Sequence, residues 1–286
     1  MKKYLWFLFI CVIYTTSCIN NSKGNPIKST NVALLSYWDD KIDSIIVKQD
    51  RELLEKSFKE FISMFNYASD DTIQLSIHQL MKNAEKDPTF YMQMTIMAEM
   101  NLFEKHSPLM KEKYYIYFLQ EIKATECLHK GYKFRFEKQL EICLRNQPGT
   151  KANNIVFIES NGNTNTLYDL DAKHILLVFY SPGCHQCMEV INEMKQNEQL
   201  NQWITSNELK VLAMYTDGDK KEWVTQKDYF PLTWINGNDF DEDIYKKGTY
   251  ILRMNPSIYL LDSDKKVLLK DTNMEDISKY FLSLHN

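Results

Sequence analysis

The stretch "HILLVFYSPGCHQC", residues 174–187, decides how the second half of this chain is read. Ile175 to Tyr180 form an unbroken apolar run, the pattern of a central strand buried on both faces. A Pro-Gly break follows, and then Cys184 and Cys187 stand three apart around His185 and Gln186. Such a pair can be a working dithiol, half of a zinc site, or an accident of composition. The spacing alone is weak, so its surroundings must decide.

The N-terminus supplies the first of these. "MKKYLWFLFICVIYTTSC" has a positive start at Lys2 and Lys3 and an apolar segment from Leu5 to Tyr14. That is the length of a signal peptide and too short to span a bilayer. Small polar residues lead into Cys18, an arrangement that resembles a bacterial lipobox, with Thr15 where an aliphatic residue is usual. Residues 1–17 are therefore expected to be a lipoprotein signal peptide and Cys18 the lipid-modified residue. The polar, Asn- and Ser-rich residues 18–30 are expected to be a tether from the membrane. Export leaves Cys127, Cys143, Cys184 and Cys187 in an oxidising compartment, where a pair three apart favours redox chemistry. No second CxxC and no HxxxH completes a zinc site, so no metal is expected.

The 286 residues are 44% hydrophobic and 25% charged, with a formal net charge of −4 and no long basic run. The balance is that of a globular protein and offers nothing to a nucleic acid.

Residues 31–149 read as an all-α domain. Leu54, Phe58, Phe61, Ile62 and Phe65 recur at helical spacing, as do Ile73, Ile77, Leu80, Met81 and Ala84. Pro88 suits the first turn of a helix whose Met94, Met97 and Met100 are expected in the core. Ser107-Pro108 predicts another helix start, and a last helix ends before Gln147-Pro148-Gly149. Short connections predict a compact bundle. His78, His106 and His129 lie on different helices or caps, with no ExxH pair to suggest a metal. Cys127 and Cys143 are a candidate structural disulfide between neighbouring helices.

After Gly149 the composition shifts. Asn161-Gly162-Asn163 punctuates a hairpin, "LKVLAMY" is a second buried strand, and "SIYLLDSDKKVLLK" reads as a terminal hairpin before a last helix. Strands alternating with helices, then an antiparallel hairpin, predict an α/β mixed sheet flanked by helices over residues 150–286.

A helix opening at Cys184 would set its sulfur among unpaired backbone N–H groups, at the dipole end that favours a thiolate. Cys187, nearly one turn on, could then attack a mixed disulfide at Cys184, and such exchange needs no cofactor beyond the disulfide itself.

The apolar strand, the CxxC opening a helix and "MNPSIYLLD" some seventy residues later resemble the thioredoxin superfamily, most nearly the TlpA/ResA-like envelope thiol-disulfide oxidoreductases. The helical part resembles a domain of unknown function joined to such domains in lipoproteins of Bacteroidetes type. The resemblance implies a thioredoxin-like fold, with Cys184 as nucleophile and Cys187 as resolving thiol. It also implies a cis-proline, Pro256, facing them, with Asn255 offering backbone groups to an extended substrate. His185 between the cysteines is a further candidate, since an imidazolium beside a thiolate would stabilise it. Gly183 stands where the family usually has Trp, His185-Gln186 where Gly-Pro is common, and Val178 where thioredoxin keeps a buried acid. The substrates and partners implied are disulfide-containing or dithiol proteins or small thiols, an envelope redox partner that recharges the dithiol, and a membrane reached through the lipid. The implied location is the periplasm-facing envelope of a Gram-negative-type bacterium. Two other readings stand beside this one. One is a helical adaptor that uses the second domain as a scaffold with little turnover. The other is a peroxidase, disfavoured because Leu177 and Ser181 occupy the places of its PxxxTxxC pattern.

Overall fold

The computed structural model describes residues 26–284 apart from positions 106, 182, 218, 227, 228 and 240. The expected signal peptide, the lipidation residue Cys18 and His106 lie outside the described residues.

Among the described residues, seven α-helices make up the first half: α1 (Pro26–Leu35), α2 (Ile42–Lys48), α3 (Arg51–Ser63), α4 (Asp70–Ala84), α5 (Pro88–Ala98), α6 (Glu112–Ala124) and α7 (Lys130–Cys143). Helix α1 begins inside the stretch expected to be tether up to residue 30. Their starts follow capping chemistry. Asp50 accepts from the Leu53 N–H at 2.9 Å, and Asp87 accepts from Thr89 and Phe90 just ahead of Pro88. His129 caps α7 by accepting from the Gly131 N–H at 3.2 Å, while His78 pairs with Glu121. Phe58, Phe61, Ile73, Ile77, Phe118, Leu119 and Ile122 are fully buried where α3, α4 and α6 meet. Met94 and Met97 join that core as expected, but Met100 is exposed.

One expected helix start is corrected. Ser107-Pro108 does not open α6, which begins at Glu112. Helix α5 instead continues as a π-helical turn, Glu99–Phe103. The Ser107 hydroxyl donates to the Asn101 carbonyl at 2.5 Å and accepts from the Leu109 N–H, which fixes a turn there. Lys105 lies in the loop between.

The second half holds strands β1 (Val156–Glu159), β2 (Thr164–Thr166), β3 (His174–Tyr180), β4 (Leu209–Tyr215), β5 (Ile235–Asn238), β6 (Ser257–Asp262) and β7 (Val267–Lys270). They form one sheet in the order β2-β1-β5-β4-β3-β6-β7. The inner trio β5, β4 and β3 is parallel, and the outer pairings are antiparallel. Helices α8 (His185–Gln196), α9 (Glu198–Thr205), α10 (Lys220–Gln226), α11 (Asp243–Lys246) and α12 (Met274–Ser283) complete this half. The two expected hairpins are β1–β2, with Gly162 at φ +87°, and β6–β7.

Strand β3 shows why its sequence has no alternation. Leu176, Val178 and Tyr180 point into one core, shared with Cys187, Ile191 and Met194 of α8. Ile175, Leu177 and Phe179 point into a second core beneath the opposite face. Both faces are covered, so every position is apolar.

The halves meet along a polar seam. Arg145, just past α7, donates to the Lys247 and Gly248 carbonyls at 2.8 and 2.7 Å, and Asn146 donates to the Thr249 carbonyl. At its centre the Glu112 carboxylate meets Arg253 and, at 2.5 Å, Lys270, while Arg253 also pairs with Asp271 at 2.9 Å. Among the described residues, no helix is long and apolar enough to cross a membrane.

Candidate active site

The chain leaves β3 at Tyr180 and turns so that the Cys184 N–H donates to the Ser181 carbonyl at 3.1 Å. Cys184 then takes the N-cap position of α8, in extended geometry, and its sulfur accepts from the Cys187 N–H at 3.3 Å. A helix needs its first N–H groups satisfied from outside, and here a sulfur does part of that work. The two sulfurs are 2.7 Å apart, with the Cys187 thiol directed at Cys184. Both are free thiols.

Their environments differ. Cys184 is partly accessible, and a Cβ placed on the neighbouring Gly183 would meet nothing within 4 Å. A site with Gly where the family usually has Trp is thus open beside the outer sulfur. Cys187 is only 2% exposed and packs with Leu176, Val178 and Tyr180. Burial pushes its thiol up to about 12, aided by the neighbouring Cys184 and opposed by a Ser181 backbone hydrogen bond and the Lys105 charge. The inner sulfur is held protonated and the outer one meets solvent. That asymmetry suits a nucleophile at Cys184 and a resolving thiol at Cys187.

Pro256 is brought to the same place by the sheet. Phe179 pairs with Ser257 across the antiparallel β3–β6 ladder, so Pro256 comes to the end of β3 from which the dithiol turn departs. The Asn255–Pro256 peptide is cis. Ser257 fixes this turn, its hydroxyl accepting from the Met254 N–H and donating to the Met254 carbonyl at 2.9 Å.

Two expectations are placed differently. His185 has an 88% exposed side chain and turns along the helix to Glu189, 3.4 Å away, rather than back onto the Cys184 sulfur. Cys127 and Cys143 are not bridged. Cys127 lies 3.9 Å from the Glu85 carbonyl, whereas Cys143 is sealed in the core at the seam, where Glu112 and Arg253 act on it. Burial pushes the Cys143 thiol up to about 12 and raises that of Cys127 as well.

The structure adds contacts that the sequence did not predict. Lys105, from the helical half, donates to Asn255 Oδ1 at 2.7 Å. Ser181 donates to the Asp217 carboxylate beyond β4. Under the turn, Asn236 Oδ1 accepts from both Tyr180 and Trp223 at 3.1 Å. Only the position of Tyr180, at the end of the decisive strand, could have flagged any of these. Among the described residues no group of His, Cys, Asp and Glu is arranged to hold a metal ion.

The family DUF5106, a domain of unknown function, matches residues 19–146. A crystal structure of a thioredoxin-like protein from Bacteroides caccae is 30% identical, covering 97% of this chain and 100% of that one, with a TM-score of 0.86. The C-terminal domain of an uncharacterized Bacteroides fragilis protein is 38% identical over 48% of this chain and 98% of its own, with a TM-score of 0.47. No curated protein matches. With a relative 30% identical over 97% of its length, the chain belongs to the thioredoxin-like proteins, with residues 19–146 matching DUF5106 ahead of the sheet.

Proposed function

We propose that this protein is a thiol-disulfide oxidoreductase of the cell envelope, acting on disulfide-containing or dithiol proteins. The observation that carries the reading is the 2.7 Å approach of an accessible Cys184 sulfur and a buried Cys187 sulfur at the start of α8. In the reducing direction, the Cys184 thiolate attacks a substrate disulfide, forming a Cys184–substrate bond and releasing one substrate thiolate, which takes up a proton. Cys187 then attacks the Cys184 sulfur, passing its proton to the second departing thiolate. The Cys184–Cys187 disulfide forms, and two electrons have moved to the substrate. The same steps reversed oxidise a substrate dithiol, and relative potentials set the direction.

No cofactor is needed beyond this disulfide, but a second redox protein must recharge it. Asn255 and Pro256 border the turn and are assigned to hold an extended substrate segment beside Cys184. The leader, with Lys2, Lys3, its apolar segment and Cys18, supports lipid anchoring on the periplasm-facing side of the envelope.

The test is trapping with Cys187→Ser. The variant should accumulate mixed disulfides at Cys184 from an envelope extract, and the wild type should reduce insulin with an added dithiol. If neither adducts nor insulin reduction appear while Cys184 reacts freely with an alkylating reagent, the protein is not an exchange enzyme.

A further inference from the structure

The helical half reaches the dithiol site through Lys105. Lys105 Nζ donates to Asn255 Oδ1 at 2.7 Å across 150 residues of sequence. Asn255 immediately precedes Pro256, which the β3–β6 register sets at the dithiol turn. Lys105 is held from behind. It follows the π-helical turn Glu99–Phe103, whose Phe103 ring lies 5.1 Å from the Arg253 guanidinium, and Arg253 is locked to Glu112 and Asp271. Ile251, four residues before Asn255, packs against the helical core. The loop bearing Lys105 and the segment bearing Asn255 are thus set against each other from both sides.

We propose that Lys105 is a positioning residue of the dithiol site, supplied by the helical domain: it fixes Asn255 beside Pro256 and presents its ammonium to the negative charge that forms as Cys187 resolves a mixed disulfide. This role rests on the oxidoreductase reading. It also answers a deficit of the site. Resolution requires the buried Cys187 to release its proton to the departing thiolate, yet Val178 stands where thioredoxin keeps an acid to assist. The charge of Lys105 acts on the Cys187 thiol against burial, less strongly than burial itself, Cys184 or the Ser181 backbone hydrogen bond. A cation favours a developing thiolate without itself moving a proton.

The experiment follows release of glutathione from a Cys184–glutathione mixed disulfide, which reports attack by Cys187 alone, in the full chain. The variants are Lys105→Arg, Lys105→Gln and Lys105→Met, each with its thermal midpoint measured. Glutamine can keep the hydrogen bond to Asn255 but not the charge, and methionine keeps neither. The arginine variant should release glutathione at near the wild-type rate. The glutamine and methionine variants should be slower by about three- to tenfold at low salt. That gap should narrow as salt rises toward 1 M, which a purely structural role would not produce. Methionine release at the wild-type rate, or a gap indifferent to salt in a fully folded protein, would overturn the assignment. If the wild type itself never releases glutathione and never forms the Cys184–Cys187 disulfide, the oxidoreductase reading falls and takes this role with it.

Discussion

The guanidinium of Arg253, on the segment leading into β6, lies against the carboxylate of Glu112 at the start of α6, with side chains only 6% and 9% exposed. Lys270 and Asp271 complete the group, so two cations and two anions meet at the centre of the seam. Removing one partner strands a charge out of water. Glu112→Gln is therefore expected to cost about 3–5 kcal/mol in denaturant unfolding. A loss below about 1 kcal/mol would show that the seam contributes little.

Gly237 in β5 has no room for a side chain. A Cβ there would sit 2.8 Å from the Phe157 ring and 2.9 Å from the Met214 sulfur. Gly237→Ala should destabilise by about 1–3 kcal/mol through overpacking of the sheet face beneath β1. The same measurement on Gly183→Ala, where the surroundings are open, supplies the control.

Cys143 gives a pH dependence with a defined sign. Its thiol titrates near 9.0 when free and is pushed up to about 12 by burial. The folded state therefore holds this proton more tightly, and the resulting stability is complete below pH 9 and is lost as pH rises toward 12. Between pH 8 and pH 10 the cost of Cys143→Ala should shrink by about 1.4 kcal/mol. Urea unfolding of both proteins under reducing conditions reads the difference directly, since the other titrating groups are common to both. An unchanged cost would mean that the thiol is not held protonated by the fold.

The two thiols of the candidate site should differ in reactivity when separated. In Cys187→Ser the accessible Cys184 should react with iodoacetamide at neutral pH as readily as an exposed thiol. In Cys184→Ser the buried Cys187 should react at least about tenfold more slowly. Mass mapping of the adducts separates these sites from Cys127 and Cys143. Equal rates would remove the basis for assigning distinct roles.

The parts of this fold that were legible in the sequence are those governed by local rules. An unbroken apolar run marked β3 because both of its faces are covered, and Asn161-Gly162 marked a hairpin because its turn needs a positive φ. Pro88 announced the first turn of α5, and the structure adds Asp87 as its cap. Ser107-Pro108 carried a similar signal and misled, because the serine hydroxyl closes a turn onto Asn101 instead of opening a helix. Neighbourhood in sequence misled for His185, whose ring follows the helix to Glu189. Lys105 was invisible for a different reason. Nothing in the residues around it encodes a partner 150 positions away, and only the packing of the two halves creates that contact.

The seam also bears on what can be removed. Cut free at Gly149, the sheet domain would turn Arg253, Lys270 and Ile251 out to water and lose both the anion and the apolar surface that cover them. It would lose Lys105 in the same stroke. Such a fragment would keep its two sulfurs and its strand order, yet its dithiol would stand in a different electric field. Trimming the helices therefore shortens the chain and also removes the charge beside the dithiol, and the exchange rates of fragment and intact protein are expected to differ.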